Sequence, residues 1–182
     1  SKNNANIGRI DYLREVFPKG RIVVPLRRPE CHAASLLRQH KNFLIQQAED
    51  NFIRRYMRDI GHFEFGQIHK PMGFEGFDPD AFDPATGDYW LAYWIAAFEE
   101  VLARRDACII VTQDDLRSAP QATMDALCAT LDLETKGLDF SAYFRRSPDT
   151  ADESLFDPDL LARAHSLYAE LGKDGTEAAS RA

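Results

Sequence analysis

The sequence has few cysteines, a deficit of positive charge and no long apolar run. Its three cysteines, Cys31, Cys108 and Cys128, show no metal-ligand spacing and cannot all pair, which favours a reduced, cytoplasmic protein. The formal net charge of −7 argues against broad binding to nucleic acids or to anionic membranes. The longest apolar stretch, between Trp90 and Phe98, is too short to span a bilayer. We therefore expect neither a nucleic-acid partner nor a membrane span.

Clustered glycines are also lacking. The ten glycines are scattered, and no Gly-x-x-x-x-Gly-Lys-Ser/Thr motif occurs. A different pattern is present: Arg27 follows the apolar run Ile22–Leu26, Pro29 opens a helix, and Ser35 lies in that helix. A guanidinium at the end of a buried strand, helix-start amides and a hydroxyl in the second turn suit a phosphate group. We interpret Arg28 as a solvated neighbour of Arg27.

Alternating helical and extended patterns predict an α/β fold, with one domain over residues 1–171 and a flexible tail over residues 172–182. The extended runs are apolar on both faces, as in the buried strands of a parallel sheet. Strands are predicted at residues 21–26 and 107–112. Helices are predicted at residues 7–17, from 29 through 44, in a second helical stretch that runs to about 60, at 88–105, at 120–131, near 140 and at 158–171.

The segment between the predicted helices, residues 61–87, is long and irregular for a compact domain. It is rich in glycine, proline and phenylalanine, and Phe-Asp-Pro occurs in it twice. Such a segment is either a lid that shapes a substrate site or a packed crossover connection. The sequence leaves both interpretations open.

Two landmarks of the sequence resemble the sulfotransferases that use 3′-phosphoadenosine-5′-phosphosulfate (PAPS) as sulfuryl donor. The first is a Phe-Pro pair before a hydrophobic strand, followed by Arg27-x-Pro29 and Ser35. The second is the run from Ile110 to Leu116, in which a strand enters an Asp-Asp-Leu turn before a helix. Together they identify the chain as similar to the middle and later parts of that family.

The resemblance implies a P-loop-NTPase-like, three-layer sulfotransferase fold, with a parallel sheet flanked by helices. It implies that Arg27 and Ser35 hold the 3′-phosphate of PAPS, and that Arg145 and Arg146 belong to a late basic loop over the donor nucleotide. It also implies that Lys2 neutralises the sulfuryl or bridging oxygens. The acceptor would be a hydroxyl or amine of a small molecule, a lipid or a glycan.

The resemblance covers about residues 2–171 and departs from the family pattern in two respects. The Gly-rich loop that cradles the 5′-phosphosulfate has no counterpart, so we expect an incomplete, helix-rich C-terminal portion of a longer sulfotransferase domain. Asn4 stands where many members carry a catalytic histidine, which leaves His62 or Glu64 as candidate bases. Because His62, Glu64 and His69 lack the spacing of metal ligands, no metal is expected.

Two other functions stay open. A kinase-like nucleotide phosphotransferase would need a Gly-rich loop and a magnesium-binding aspartate outside this sequence. A non-catalytic interaction domain would retain the scaffold without binding a nucleotide. Protection by ATP would favour the first, and a folded protein that binds no nucleotide would favour the second.

Overall fold

The computed structural model describes residues 3–144 and 150–173, which form a helix-rich α/β chain. The predicted α/β class is confirmed. In chain order, the described residues form α1 (Ile10–Val16), β1 (Ile22–Leu26), α2 (Pro29–Glu49), α3 (Asn51–Asp59), α4 (Gly87–Ala103), β2 (Cys108–Thr112), α5 (Gln113–Ser118), α6 (Pro120–Thr130) and α7 (Pro158–Gly172). Short 3-10 helices lie at Asn4–Arg9, Gly66–Ile68, Pro79–Ala81, Arg105–Ala107, Ser141–Tyr143 and Glu153–Leu155.

The two strands found in the described residues pair in parallel. The register runs from Ile22 beside Cys108 to Leu26 beside Thr112, so the carboxyl ends of both strands lie at one edge. A hairpin cannot join parallel neighbours, and the connection between them contains α2, α3 and α4. A small parallel sheet is compatible with the predicted three-layer fold, which itself stays a prediction.

Local signals explain where the long helical region divides. α2 begins at Pro29, where the missing N–H of proline costs no helical hydrogen bond. The second helical stretch predicted to run to about residue 60 is α3, which is separate from α2 because Asp50 adopts an extended conformation and caps α3. Its carboxylate accepts a hydrogen bond of 2.8 Å from the backbone N–H of Phe52. The chain therefore stops one helix and starts the next at a single residue.

The described residues group into two compact units. The first consists of the described parts of Ser1–Arg28, Phe98–Thr150 and His165–Ala182, and the second consists of Pro29–Ala97 and Ala151–Ala164. This grouping does not test whether either unit folds alone, so the single domain over residues 1–171 stays a prediction. Residues 174–182 of the predicted tail lie outside the described part of the chain.

Each unit has its own buried apolar residues. In the second unit, Tyr89, Trp90 and Trp94 of α4 are at most 2% exposed. In the first unit, Leu26 at the end of β1 and Val101 in the last turns of α4 are fully buried. α4 is thus a core helix. Neither it nor any other helix of the described residues combines the length and the apolar character needed to cross a membrane.

Candidate functional site at the carboxyl edge of the sheet

The carboxyl edge of the sheet collects the charged residues that follow both strands. Arg27 and Arg28 come directly after β1, while Gln113, Asp114 and Asp115 come directly after β2. All five belong to the first unit. The crevice outside the carboxyl ends of parallel strands is where open α/β sheets bind ligands, which makes this edge the candidate site.

One carboxylate of this edge stabilises the start of α5. Thr112 is the N-cap, and its hydroxyl oxygen accepts a hydrogen bond of 3.0 Å from the backbone N–H of Asp115. The same hydroxyl donates to Asp115 Oδ2 at 2.6 Å. The sequence predicts that the carboxylates of Asp114 and Asp115 form a turn or cap a helix. Asp115 does take part in the cap, although the capping residue itself is Thr112.

The other carboxylate, Asp114, joins two distant parts of the chain. Arg28 donates its Nε–H to Asp114 Oδ2 at 2.8 Å, and the Tyr168 hydroxyl of α7 donates to the same oxygen at 2.9 Å. Burial, and then the hydrogen bond to the carboxylate, raise the pKa of Tyr168. Arg28 is therefore ion-paired at the edge of the sheet rather than simply solvated, which corrects its sequence-based interpretation.

Arg27 lies immediately after β1 and is half buried. A neighbouring group already engages it. In the strand register, Leu26 lies beside Thr112. Gln113, the first residue after β2, therefore lies at the same level of the sheet edge as Arg27, the first residue after β1. The Oε1 atom of Gln113 is buried and has no hydrogen-bond partner within residues 3–144 and 150–173. The edge thus offers a guanidinium suited to an anionic oxygen and an acceptor suited to a hydroxyl or N–H donor.

Ser35 belongs to the second unit, in α2, and is half buried. Its hydroxyl oxygen accepts a hydrogen bond of 3.3 Å from Arg38 Nη2, one turn further along the helix. Arg38 is exposed. A serine hydroxyl beside a guanidinium retains its own proton for donation, so the pair suits an anionic oxygen.

His62 and Glu64, the candidate bases, lie together on the surface of the second unit. His62 Nδ1 is 3.7 Å from Glu64 Oε2, and the two side chains are 59% and 48% exposed. Such exposed pairs are weak and strongly screened by solvent. The described residues contain no group of three or more histidine, cysteine, aspartate or glutamate side chains arranged for a metal ion. The other predicted site residues, Lys2, Arg145 and Arg146, lie outside the described part of the chain.

Sequence reasoning missed a cluster of polar side chains inside the second unit. It comprises His40 and Gln47 of α2, His69, and Tyr89 and Tyr93 of α4. His69 Nε2 is 2.7 Å from the hydroxyl of Tyr89. Burial is the largest cause of the lowered pKa values of both histidines and of the raised pKa of Tyr89, which is about 12. The cluster is therefore uncharged near neutral pH.

A periodic signal for this cluster was present in the sequence. His40 and Gln47 are seven residues apart and share one face of α2, while Tyr89 and Tyr93 are four apart and share one face of α4. Polar residues at core spacing indicate a buried hydrogen-bond network when a partner segment supplies the matching groups. That partner segment cannot be recognised from the spacing alone.

Comparison of the chain with protein-family models, with curated proteins and with solved structures gives no match. Any functional proposal therefore rests on the sequence resemblance and on the geometry within each unit.

Proposed function

We propose that this chain is a sulfotransferase domain that uses PAPS as sulfuryl donor, and that Arg27 binds the 3′-phosphate of the donor. The observation that carries the proposal is the position of Arg27, half buried and directly after β1 at the carboxyl edge of a parallel sheet. A guanidinium offers a planar, permanently charged pair of donors to a phosphate, and partial burial strengthens each hydrogen bond.

The order of elements around Arg27 further supports the proposal. β1 ends at Leu26, two arginines follow, and α2 begins at Pro29 with Ser35 in its second turn. This order is the strand–Arg-x-Pro–helix-Ser pattern of the resemblance. The Asp-Asp-Leu landmark also lies where β2 enters α5. In the proposed reaction, the acceptor is a hydroxyl or amine, and His62 or Glu64 stays a proposed base.

The proposal is tested by nucleotide binding to the full chain. Adenosine-3′,5′-bisphosphate should bind with micromolar or better affinity and raise the melting temperature, whereas adenosine-5′-monophosphate should bind much more weakly. Arg27→Ala should weaken the bisphosphate at least tenfold, because a hydrogen bond to a charged group contributes about 1.5–3 kcal/mol. Isothermal titration calorimetry measures both affinities.

Arg21→Ala is the matched control, since Arg21 precedes the other end of β1, is exposed, and lies 3.9 Å from Asp132 in a long ion pair. It should leave the affinity unchanged. Equal losses for Arg27→Ala and Arg21→Ala would contradict a specific phosphate contact. Binding of ATP in preference to the bisphosphate would favour a phosphotransferase instead, and a folded chain that binds neither nucleotide would favour the interaction domain.

A further inference from the structure

Residues 60–86, between α3 and α4, form a crossover segment that is tied to the helices of the second unit by side chains. Its backbone N–H groups donate hydrogen bonds from Gln67 to Gln47 Oε1 (2.7 Å), from Met72 to Tyr93 OH (3.0 Å) and from Gly66 to His40 Nδ1 (3.3 Å). Its backbone carbonyl at Pro84 accepts one from Trp90 Nε1–H (2.9 Å). The segment contains little regular secondary structure, so these bonds and the aromatic contacts around them fix its path.

The bond between Gly66 and His40 differs chemically from the other three. An imidazole nitrogen accepts a hydrogen bond only while it carries no proton, so His40 must be neutral with its proton on Nε2. Protonation of Nδ1 would replace the acceptor with a second N–H donor, which would face the N–H donor of Gly66. The amide, phenol and indole groups of Gln47, Tyr93 and Trp90 keep their roles over the same pH range.

The surroundings of His40 disfavour its charged form. The side chain is 4% exposed, and its ring centroid lies 5.4 Å from that of His69 and 5.3 Å from that of Trp90. Burial is the main cause of its lowered pKa, and the positive charges of His69 and Lys41 act in the same direction. Asp83, on the crossover segment, is the carboxylate that opposes them, and it is exposed to solvent.

His69 itself is better prepared for a proton. Its Nε2 retains the contact with Tyr89 in either state, because a protonated ring nitrogen can donate to the phenol oxygen. Burial lowers the pKa of His69, and the nearby backbone carbonyls of Glu64 and Phe63 act in the opposite direction, although Nδ1 makes no hydrogen bond within the described residues. Protonating His69 therefore breaks no hydrogen bond of the crossover segment, whereas protonating His40 on Nδ1 breaks one.

We propose that His40 is an acid-sensitive latch, which holds the crossover segment on α2 through Gly66 at neutral pH and releases the segment around Gly66 when Nδ1 is protonated. Release is local, because the ties at Met72 and Pro84 do not depend on His40. The latch is independent of the proposed sulfotransferase activity.

The pH range in which the latch is released follows from the lowered pKa of His40. In the released state water reaches His40 and its pKa moves back toward the ordinary value of 6.5, while in the latched state its pKa is lower. The released state therefore binds more protons, and the latched state is favoured above pH 6.5. As the pH falls below that value, the ratio of released to latched protein should rise, by at most tenfold per pH unit.

Hydrogen exchange of the full chain at pH 7.5 and at pH 5.5 tests the latch. After division by the intrinsic exchange rates, the amide of Gly66 should lose protection at the lower pH, by up to about tenfold. The amides in the middle of α4 should retain theirs. Unchanged protection at Gly66, or an equal loss throughout the second unit, would overturn the proposal.

Two variants identify the titrating group. His40→Asn places an amide oxygen near the position of Nδ1 and cannot be protonated in this range, so it should hold Gly66 at both pH values. His69→Gln removes the second charge and keeps a partner for Tyr89, so acid release should persist. Release that persists in His40→Asn and disappears in His69→Gln would assign the switch to His69 and overturn the proposal.

A measurement on the unmodified protein guards against variants that fail to fold. The imidazole resonances of His40 should titrate in an NMR experiment with a midpoint below pH 6.5, and protection at Gly66 should fall in the pH range between 6.5 and that midpoint. A His40 midpoint above pH 6.5, or constant protection at Gly66 throughout that range, would contradict the latch.

Discussion

Replacement of Gly66 by alanine should destabilise the protein for two separable physical reasons. Gly66 has a φ of +79°, in the left-handed region that alanine adopts at a cost of about 1–2 kcal/mol. A Cβ atom built on Gly66 would also lie 2.6 Å from Cδ and Nε2 of Gln47. No real Cβ contact is that short, so the Gln47 side chain would have to move.

Displacement of Gln47 has a calculable consequence. The side chain is 3% exposed, and its Oε1 accepts the 2.7 Å hydrogen bond from the backbone of Gln67. A half-buried N–H left without an acceptor costs about 1–3 kcal/mol. Alanine also restricts the backbone of the unfolded chain, which stabilises the folded state by about 0.4–1 kcal/mol. For Gly66→Ala we therefore expect a net loss of about 3 kcal/mol in the free energy of unfolding.

Gly61→Ala is the matched control in the same unit. Gly61 has a φ of +74°, yet no atom lies within 4 Å of the position of its Cβ. Alanine at position 61 would have only the conformational cost, and we expect a loss of about 1 kcal/mol or less in the free energy of unfolding. Urea denaturation measures both values. With a slope of about 2 kcal/mol per molar, the midpoint of Gly66→Ala should lie about 1 M below that of Gly61→Ala.

A double substitution isolates the steric contribution. In Gln47→Ala the clashing atoms are gone, so adding Gly66→Ala should cost no more than Gly61→Ala does. The coupling between positions 47 and 66 should then be about 1–2 kcal/mol, as expected for residues in direct contact. Equal effects of the two glycine substitutions, or additive effects of Gln47→Ala and Gly66→Ala, would refute the reasoning.

Two further predictions concern the carboxyl edge of the sheet. Thr112→Ala should lower the free energy of unfolding by about 1 kcal/mol in chemical denaturation, because α5 loses its N-cap, and Thr112→Ser should restore most of the loss. Tyr168→Phe should cost about 1 kcal/mol by removing the hydrogen bond to Asp114. The control Tyr143→Phe, at a side chain that is 81% exposed, should cost nothing measurable, and an equal loss in both tyrosine variants would contradict the role given to that bond.

The elements that were predictable from the sequence are those controlled by a few neighbouring residues. The strand predicted over residues 21–26 is Ile22–Leu26 in the structure, and the helix start predicted at Pro29 is the start of α2. Apolar β-branched runs and prolines act on the local backbone, so their effect does not depend on the rest of the chain. The position of Arg27 after β1 follows from the same local signals.

The polar contacts were not predictable, because they join residues that are distant in sequence. His40 and Gly66 are 26 residues apart, and Asp114 and Tyr168 are 54 apart. Each contact depends on how elements pack, and many polar residues of equal spacing point to solvent instead. The pairing of Arg28 with Asp114 was missed for this reason, although both residues belong to the two landmarks on which the sequence resemblance rests.

Asp114 distinguishes the two arginines at the carboxyl edge. Arg28 donates to a carboxylate that also accepts from Tyr168, so an anion that approached Arg28 would meet the negative charge of Asp114. The pair is half exposed and contributes little to stability, about 0–1 kcal/mol. Its effect on a second anion is nevertheless repulsive at short range. A phosphate at this edge would therefore depend on Arg27, which is why Arg27→Ala is the substitution that decides the proposed function.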